Sequence, residues 1–265
     1  MKKRLIILCV LMTAFPALSG AQGTDNEMES ETGARVSLAA DKKIVKGFHW
    51  NVDGEVRPED NLSDFGRYQF GTGLTWKATP WLKLGAGYIF MEDKNSSDEW
   101  KPRHRVYGDV TLSHKAGLWR FAVKERLQMT HRDVNNPFQK TPNLVALKSR
   151  FKVSYKATPT LTPYGYIEVR NVFNDPACSA TWNTASLSYS DYTFLGYSDT
   201  YVNRLRGSLG LDWKLDNHNS LDLFVMTDYC HDKNIDTNKE GTKLKSLTYD
   251  RAFKGWIGAG YKFSF

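Results

Sequence analysis

The sequence predicts an all-β fold, and three observations favour a transmembrane antiparallel up-and-down β-barrel. Apolar and polar residues alternate with period two along most of the chain, which is the spacing of strands with two different faces. The alternating runs are long, often 11 to 14 residues, whereas strands of soluble sheets usually have about 5–6. Short polar turns alternate with long loops, and this sorting by length is typical of outer-membrane barrels.

The alternation defines the strands. In the run 68–77, Phe70 and Trp76 share one face, and Gln69 and Lys77 share the other. The same pattern predicts ten strands, near 47–58, 68–77, 82–90, 102–114, 118–131, 144–157, 161–174, 201–214, 219–230 and 253–265.

The number of strands is predicted from parity. Ten strands close antiparallel, with both chain ends on the short-turn side. Residues 34–41 form an eleventh alternating run, which would force the chain to begin at the opposite end of the barrel. We therefore expect a wall of ten strands with residues 34–41 in the lumen or periplasm. The alternative is twelve strands, one of them hidden in the segment before residue 34.

The start of the chain resembles a secretory signal. Residues 1–21 combine the basic stretch Lys2–Arg4, the apolar run Leu5–Leu11 and the small residues Ser19–Ala21, as a cleavable signal peptide does. The apolar run is too short to cross a bilayer. Residues 22–33 are polar and acidic and are expected to form a flexible leader. The barrel domain is then residues 34–265.

The C-terminal residues indicate the cellular location. The last predicted strand alternates down to a terminal Phe265, which resembles the signal by which bacterial outer-membrane barrels are recognised for insertion. The expected location is therefore the outer membrane. The expected partners are its lipids and the insertion machinery, which would act on the C-terminal strand.

Charge excludes one class of partner. Without the signal, 33 basic residues remain against 29 acidic ones, a net charge of +4. This mild excess does not point to nucleic acid.

The charged face of the strands decides what would line a lumen. A soluble sandwich would also have one polar face, so strand length, loop sorting and the final strand are needed to favour a barrel. Glu125 is the exception, because it interrupts the apolar face of strand 118–131. The predicted lumen-lining residues are Arg67, Arg103, Arg105, Arg126, Arg150, Arg170, Arg204, Arg206, Asp109, Glu168 and Asp212.

One hairpin carries a family resemblance. Asn203–Arg206, Leu209–Lys214 and Leu221–Leu223 resemble a hairpin of the outer-membrane family labelled domain of unknown function 2490. The resemblance implies a barrel of unassigned activity, and it supplies no catalytic or binding residues.

Function is predicted only coarsely. About eight strands are just filled by their own side chains, whereas water-filled porins use about 16–18. Ten strands therefore predict a structural barrel with an ion-paired interior, or a narrow channel that prefers anions because basic lining residues outnumber acidic ones. Another alternative is surface binding through the aromatic-rich loop 175–200, whose aromatic residues could instead pack together and cap the barrel.

A barrel-embedded lipid-modifying enzyme is the remaining alternative, and the sequence argues against it. Such an enzyme needs a nucleophile beside a His. No His lies two residues from a Ser on one strand face; the six are His49, His104, His114, His131, His218 and His231. We therefore expect no enzymatic activity.

No cofactor or metal is expected either. No Gly-rich phosphate loop is present, and the acidic cluster around His231, formed by Asp228, Asp232 and Asp236, is typical of solvated loop acids rather than a metal site. Cys178 and Cys230 remain after signal removal, and both fall at the long-loop end. Since an exported protein meets an oxidising compartment, a disulfide and two free thiols are equal alternatives.

Overall fold

The computed structural model describes residues 24–25, 29–95 and 98–265. The predicted signal peptide, residues 1–21, lies outside these residues. In the part of the chain that is described, no helix is long and apolar enough to cross a membrane. The strands are β1 (Thr24–Asp25), β2 (Glu29–Val45), β3 (Phe48–Glu59), β4 (Asp64–Lys77), β5 (Leu82–Lys94), β6 (Trp100–Ala116), β7 (Trp119–Arg132), β8 (Asn143–Tyr155), β9 (Leu161–Asp175), β10 (Cys178–Asn183), β11 (Ser188–Phe194), β12 (Asp199–Lys214), β13 (Asn219–Thr237) and β14 (Leu244–Ser264).

Eleven of these strands form a closed barrel. From β2 to β9, and on through β12, β13 and β14, each strand is antiparallel to the next. The barrel closes where β14 pairs with β2, and this pair is parallel, from Ala252 beside Glu29 to Ser264 beside Asp41. β1 also lies parallel to β14, and β10 and β11 form a separate hairpin.

The predicted strand number was wrong, although all ten predicted strands are in the wall. Residues 34–41 belong to β2, which is an eleventh wall strand rather than a segment of the lumen or periplasm. The fully antiparallel arrangement was wrong for the same reason. An odd strand next to the last one can close the sheet only by running parallel to it, as in the 19-stranded mitochondrial channel.

The leader was also predicted to extend too far. β2 begins at Glu29, so residues 29–33 form a strand, because the edge of β14 offers them backbone partners. β3 pairs with β2 only from Val36 onward. The part of β2 before Val36 is paired instead by the loop after β3. The Asn61 N–H donates to the Thr32 carbonyl at 2.9 Å, and the Asn61 side chain accepts from the Thr32 N–H at 3.2 Å.

Close approach at the closing pair requires a glycine. Gly33 faces Trp256 across the β2–β14 pair, and the Trp256 side chain is buried. A Cβ on Gly33 would lie 2.5 Å from the Trp256 ring and 2.8 Å from the carbonyl oxygen of Pro58. Any larger residue at position 33 would therefore push the indole away from the wall.

The two faces of the wall differ in chemistry. Apolar side chains such as Leu209, Leu38 and Ile257 point outward and are 68%, 64% and 58% exposed. Charged side chains such as Arg206 and Glu168 point inward and are buried. Successive side chains in a strand alternate between its two faces, and the register aligns these faces between neighbouring strands. The whole barrel therefore has an apolar outer face and a charged inner face.

A cross-linking experiment tests the parallel closure. Ala34 and Ile257 are neighbours in the β14–β2 register, and bonded neighbours lie within the Cα separation that a disulfide spans. We expect Ala34→Cys with Ile257→Cys, in a chain with Cys178→Ser and Cys230→Ser, to form a disulfide on mild oxidation, seen as a gel-mobility shift.

The control pairs Ala34→Cys with Leu223→Cys, which lies one strand further on, in β13. Linkage in the control but not in the first pair would contradict the closure.

Candidate functional site

The inner face contains a continuous row of charged side chains. Successive register partners from β7 to β2 are Lys124, Arg150, Glu168, Arg206, Asp228, Lys254 and Glu31. Since directly opposed residues of neighbouring strands have close Cβ atoms, charges that are distant in sequence become adjacent. Beyond the first two cations, basic and acidic side chains alternate in this row.

The strongest contact in the row joins β12 and β13. Arg206 donates to both carboxylate oxygens of Asp228, at 2.5 and 2.7 Å, and Arg35 from β2 approaches the same carboxylate at 3.7 Å. The Asp228 side chain is only 3% exposed. A bidentate Arg–carboxylate pair is among the strongest polar contacts in proteins, so three strands are tied together at this point.

A second contact joins β8, β9 and β12. Arg150 donates to Oε2 of Glu168 from Nε at 2.9 Å and from Nη2 at 2.6 Å. Arg206 lies 3.8 Å from the other oxygen of Glu168. Arg206 therefore connects the two carboxylates of this row.

Two further carboxylates each bind two cations. Asp109 on β6 lies 2.6 Å from Arg126 and 3.0 Å from Lys124. Asp93 on β5 binds Arg67 and also Arg103, the latter at 2.8 Å.

Aromatic faces hold several of the cations in place. Arg126 lies 3.8 Å above the Tyr107 ring, and Arg150 lies 4.2 Å above the Tyr166 ring. Each guanidinium is thus fixed between a carboxylate and a π face, an arrangement that suits a planar cation.

Four basic side chains differ from these. Among the described residues, none of them forms an ion pair; they are Arg105, Lys148, Arg170 and Arg204. Arg105 donates to the Thr130 hydroxyl at 2.9 Å, and the buried Nε atoms of Arg170 and Arg204 have no hydrogen-bond partner within the described chain.

These four lie close together. Lys148, Arg170 and Arg204 are successive register partners on β8, β9 and β12. The charges of Arg105, Arg170 and Arg204 all act on Lys148. The lumen therefore has an excess of positive charge on the side formed by β6 to β12.

A polar cavity opens beside this cluster. It has a volume of about 200 Å³ and is lined by Lys124, Arg126, Lys148, Arg150 and Glu168. We call it the basic cavity. No group of His, Cys, Asp or Glu that could hold a metal ion is found among the residues that the structure describes.

The register puts all eleven predicted lumen residues on the inner face, but at different depths. Ten surround the ion pairs or the unpaired cations, whereas Asp212 is exposed near the short turn after β12. Asp93 was missed because the predicted strand stopped at Phe90, although β5 runs to Lys94. The alternation continues through Met91 and Asp93, and this pattern could have extended the predicted strand beyond Phe90.

Of the two alternatives for the cysteines, a disulfide or two free thiols, the structure has free thiols. Cys178 and Cys230 are both unbridged. Cys178 packs against a small apolar cluster of Ile235, Leu244 and Leu247 at the long-loop end, and burial raises the pKa of its thiol. Cys230 instead lies opposite Arg204 in the register of the wall. The two side chains have different neighbours, so no bridge forms.

The acids of the loop cluster near His231 each bind a different partner. Asp228 binds Arg206 at the centre of the lumen, Asp232 accepts from the Asn203 amide at 2.8 Å, and Asp236 accepts from the Gln139 amide at 2.9 Å.

Glu125 has a partner on the outer face. The Ser149 hydroxyl, on the neighbouring strand, donates to its carboxylate at 2.6 Å. The contact satisfies one acceptor of a carboxylate that interrupts an otherwise apolar face.

The aromatic residues of loop 175–200 pack against one another and against the loop after β7. Trp182 and Tyr189 meet edge to face across the β10–β11 hairpin, with ring centroids 4.8 Å apart. Phe194 contacts Phe138 of the loop after β7 at 5.2 Å, and the Tyr197 hydroxyl donates to the Pro137 carbonyl at 3.0 Å. These contacts join two long loops at this end of the barrel.

The Arg206–Asp228 pair gives a stability prediction. Asp228→Asn should lower the free energy of unfolding by about 3 kcal/mol, because removing one partner leaves a buried charge without compensation. The measurement is urea unfolding of the folded barrel in lipid vesicles, followed by tryptophan fluorescence.

The matched control is Asp236→Asn, which breaks the exposed ion pair with Lys245 and should change stability by at most about 1 kcal/mol. Equal effects of the two substitutions would show that the lumen pair does not tie the strands.

Comparison with known proteins places the chain in a family. No curated protein matches it. The solved structure of the outer-membrane expressed OmpT of Vibrio cholerae is similar with 15% identity and a TM-score of 0.35, over 82% of this chain and 64% of that chain. The chain thus spans less than two thirds of that protein. A family model described as "Protein of unknown function (DUF2490)" matches residues 33–239. The match covers more than half of the chain and confirms the resemblance of its hairpin, and the chain belongs to this family.

Proposed function

We propose that this protein is an exported outer-membrane β-barrel whose lumen forms a narrow channel with a preference for anions. The observation that carries the proposal is the group of four lumen cations without an ion pair in the described chain: Arg105, Lys148, Arg170 and Arg204.

The outer surface supports the membrane location. The outward side chains at the centre of the wall are apolar and largely exposed, which in water would leave a large unfavourable surface. Aromatic rings flank this band near the short turns, where Trp76 stacks on Phe48 at 5.5 Å and Trp119 contacts Tyr155 at 4.8 Å. Such rings are typical of the membrane interface.

The strand number supports a narrow bore. Eleven strands lie nearer to the roughly eight that side chains fill than to the 16–18 of water-filled porins. The long Arg side chains of the inner face reduce the free space further. Passage would therefore be limited to small solutes that can pass between ion-paired side chains.

The charge distribution supports a preference for anions. Asp93, Asp109, Glu168 and Asp228 each bind at least two cations. Paired charges largely cancel, so the field around Arg105, Lys148, Arg170 and Arg204 is positive. In a confined space of low dielectric constant, such a field attracts anions and repels cations.

A closed structural barrel is the second candidate, favoured by the many ion pairs along the inner face and by the contacts of the aromatic loop. It predicts no conductance in the folded protein, and the channel experiment below therefore decides between the two candidates.

A substitution on the outer face tests the membrane location. Val225 lies in the middle of β13 and is 55% exposed. Val225→Arg should lower the free energy of unfolding in lipid vesicles by about 2–4 kcal/mol, the cost of a cation at the bilayer midplane. Unfolding in urea measures it.

The control for this test is Leu187→Arg, in the turn between β10 and β11, where the side chain is 75% exposed. It should be neutral within about 0.5 kcal/mol. A harmless Val225→Arg would mean that this face contacts water.

Planar bilayers test the channel. The mature protein should give small conductance steps, and under a salt gradient its reversal potential should indicate anion preference. Arg170→Gln with Arg204→Gln should reduce the preference at least severalfold, because two unpaired positive charges are removed from the lumen.

The matched control for the channel replaces two basic residues outside the lumen, Lys156→Gln in a short turn and Lys239→Gln in a long loop. It should keep the preference. Absence of conductance in the wild-type protein, or cation preference, would exclude the proposed channel.

A further inference from the structure

The basic cavity has the composition of a binding site for a small divalent oxyanion. We propose that it binds inorganic phosphate or an ion of the same charge and size, such as sulfate. The inference deepens the proposed function, since the cavity lies in the same lumen, and it names the class of anion that the lumen selects.

The charge around the cavity matches a divalent anion. Four cations and one carboxylate line it, and Asp109 lies behind Lys124 and Arg126 as a second carboxylate. With all four basic groups protonated and both carboxylates ionised, the charge is +2. A single divalent anion would neutralise it.

The donors around the cavity are already positioned. Arg126 is fixed between Asp109 and the Tyr107 ring, and Arg150 is fixed between Glu168 and the Tyr166 ring. The Nε atom of Arg126 is buried and has no hydrogen-bond partner in the described chain. Pre-positioned guanidinium groups suit the tetrahedral oxygens of phosphate, since their planar fork can donate two parallel hydrogen bonds.

Lys148 is the central residue of the proposal. It lies between Arg126 on β7 and Arg170 on β9 in the register of the wall. Its ammonium forms no ion pair within the described residues, and three neighbouring arginines repel it. An anion in the cavity would relieve this repulsion, so binding should depend on Lys148 more than on any cation that already has a carboxylate partner.

The size of the cavity suits a small ligand. Its volume is about 200 Å³, whereas drug-sized ligands occupy pockets of about 300–1,000 Å³. A tetrahedral oxyanion matches this space better than a drug-sized molecule does.

The carboxylate of Glu168 opposes binding and supplies a test of the opposite sign. Its Oε2 accepts from Arg150 and its Oε1 faces Arg206 at 3.8 Å. Glu168→Gln removes a negative charge from the cavity wall. Phosphate binding should therefore become tighter in this variant, whereas a merely structural disturbance would weaken it.

Calorimetry on the purified mature protein in detergent tests the proposal. Inorganic phosphate at pH 7 and low ionic strength should bind saturably at one site, with sulfate competing and chloride competing far more weakly. Lys148→Gln should weaken binding about tenfold or more, as expected for loss of a charge-assisted hydrogen bond. It leaves no carboxylate without its partner.

The matched control is Lys156→Gln, which makes the same change at an exposed position just beyond the same strand. It should leave phosphate affinity unchanged. Glu168→Gln should tighten binding severalfold, and heat-dependent gel mobility verifies that each variant is folded. If Glu168→Gln does not fold, the comparison of Lys148→Gln with Lys156→Gln decides alone.

Absence of saturable phosphate binding, equal affinity in Lys148→Gln and the wild type, or equal competition by chloride would each overturn the proposal. The experiment needs no transport and so separates the two proposals. Phosphate binding by a barrel without conductance would support the oxyanion site and exclude the channel. Conductance with anion preference but without phosphate binding would support the channel and exclude the oxyanion site.

Discussion

An open sheet leaves unpaired N–H and C=O groups along both of its edges, and a barrel removes these edges by closing on itself. In this protein the closing contact is the parallel pair of β14 and β2, which extends over thirteen register positions from Glu29 to Asp41. The seam is also held by side chains, since Lys254 binds Glu31 and Lys262 lies 3.4 Å from Asp41. Gly33 allows Trp256 to pack against it.

Closure brings the charged faces of all eleven strands into one small volume. Burying so many charges is unfavourable unless they pair, and the inner face meets this requirement by its register. Arg206 lies between Glu168 and Asp228 because the strands that carry them are neighbours at the same height. The cations left without an ion pair are the feature that distinguishes this lumen from a fully neutralised one, and both proposals depend on them.

Much of this arrangement could be predicted locally. The ten antiparallel strands and their two faces follow from a period of two, which each segment shows by itself. Asp93 was lost only because its strand was ended too early, although it is the shared partner of Arg67 and Arg103. The place of residues 34–41 could not be predicted in this way. The even strand number assumed that every neighbouring pair is antiparallel, and the parallel pair of β14 and β2 does not obey this assumption.

The sequence by itself determined that long strands would present one apolar and one charged side, and that their connections would be sorted by length, because alternation and turn composition are local properties of the chain. Only the tertiary structure decided which strand closes the barrel, which cations are paired and which remain. These outcomes depend on register between distant segments: Glu31 and Lys254 are 223 residues apart in sequence, and a shift of one residue would turn either side chain to the opposite face.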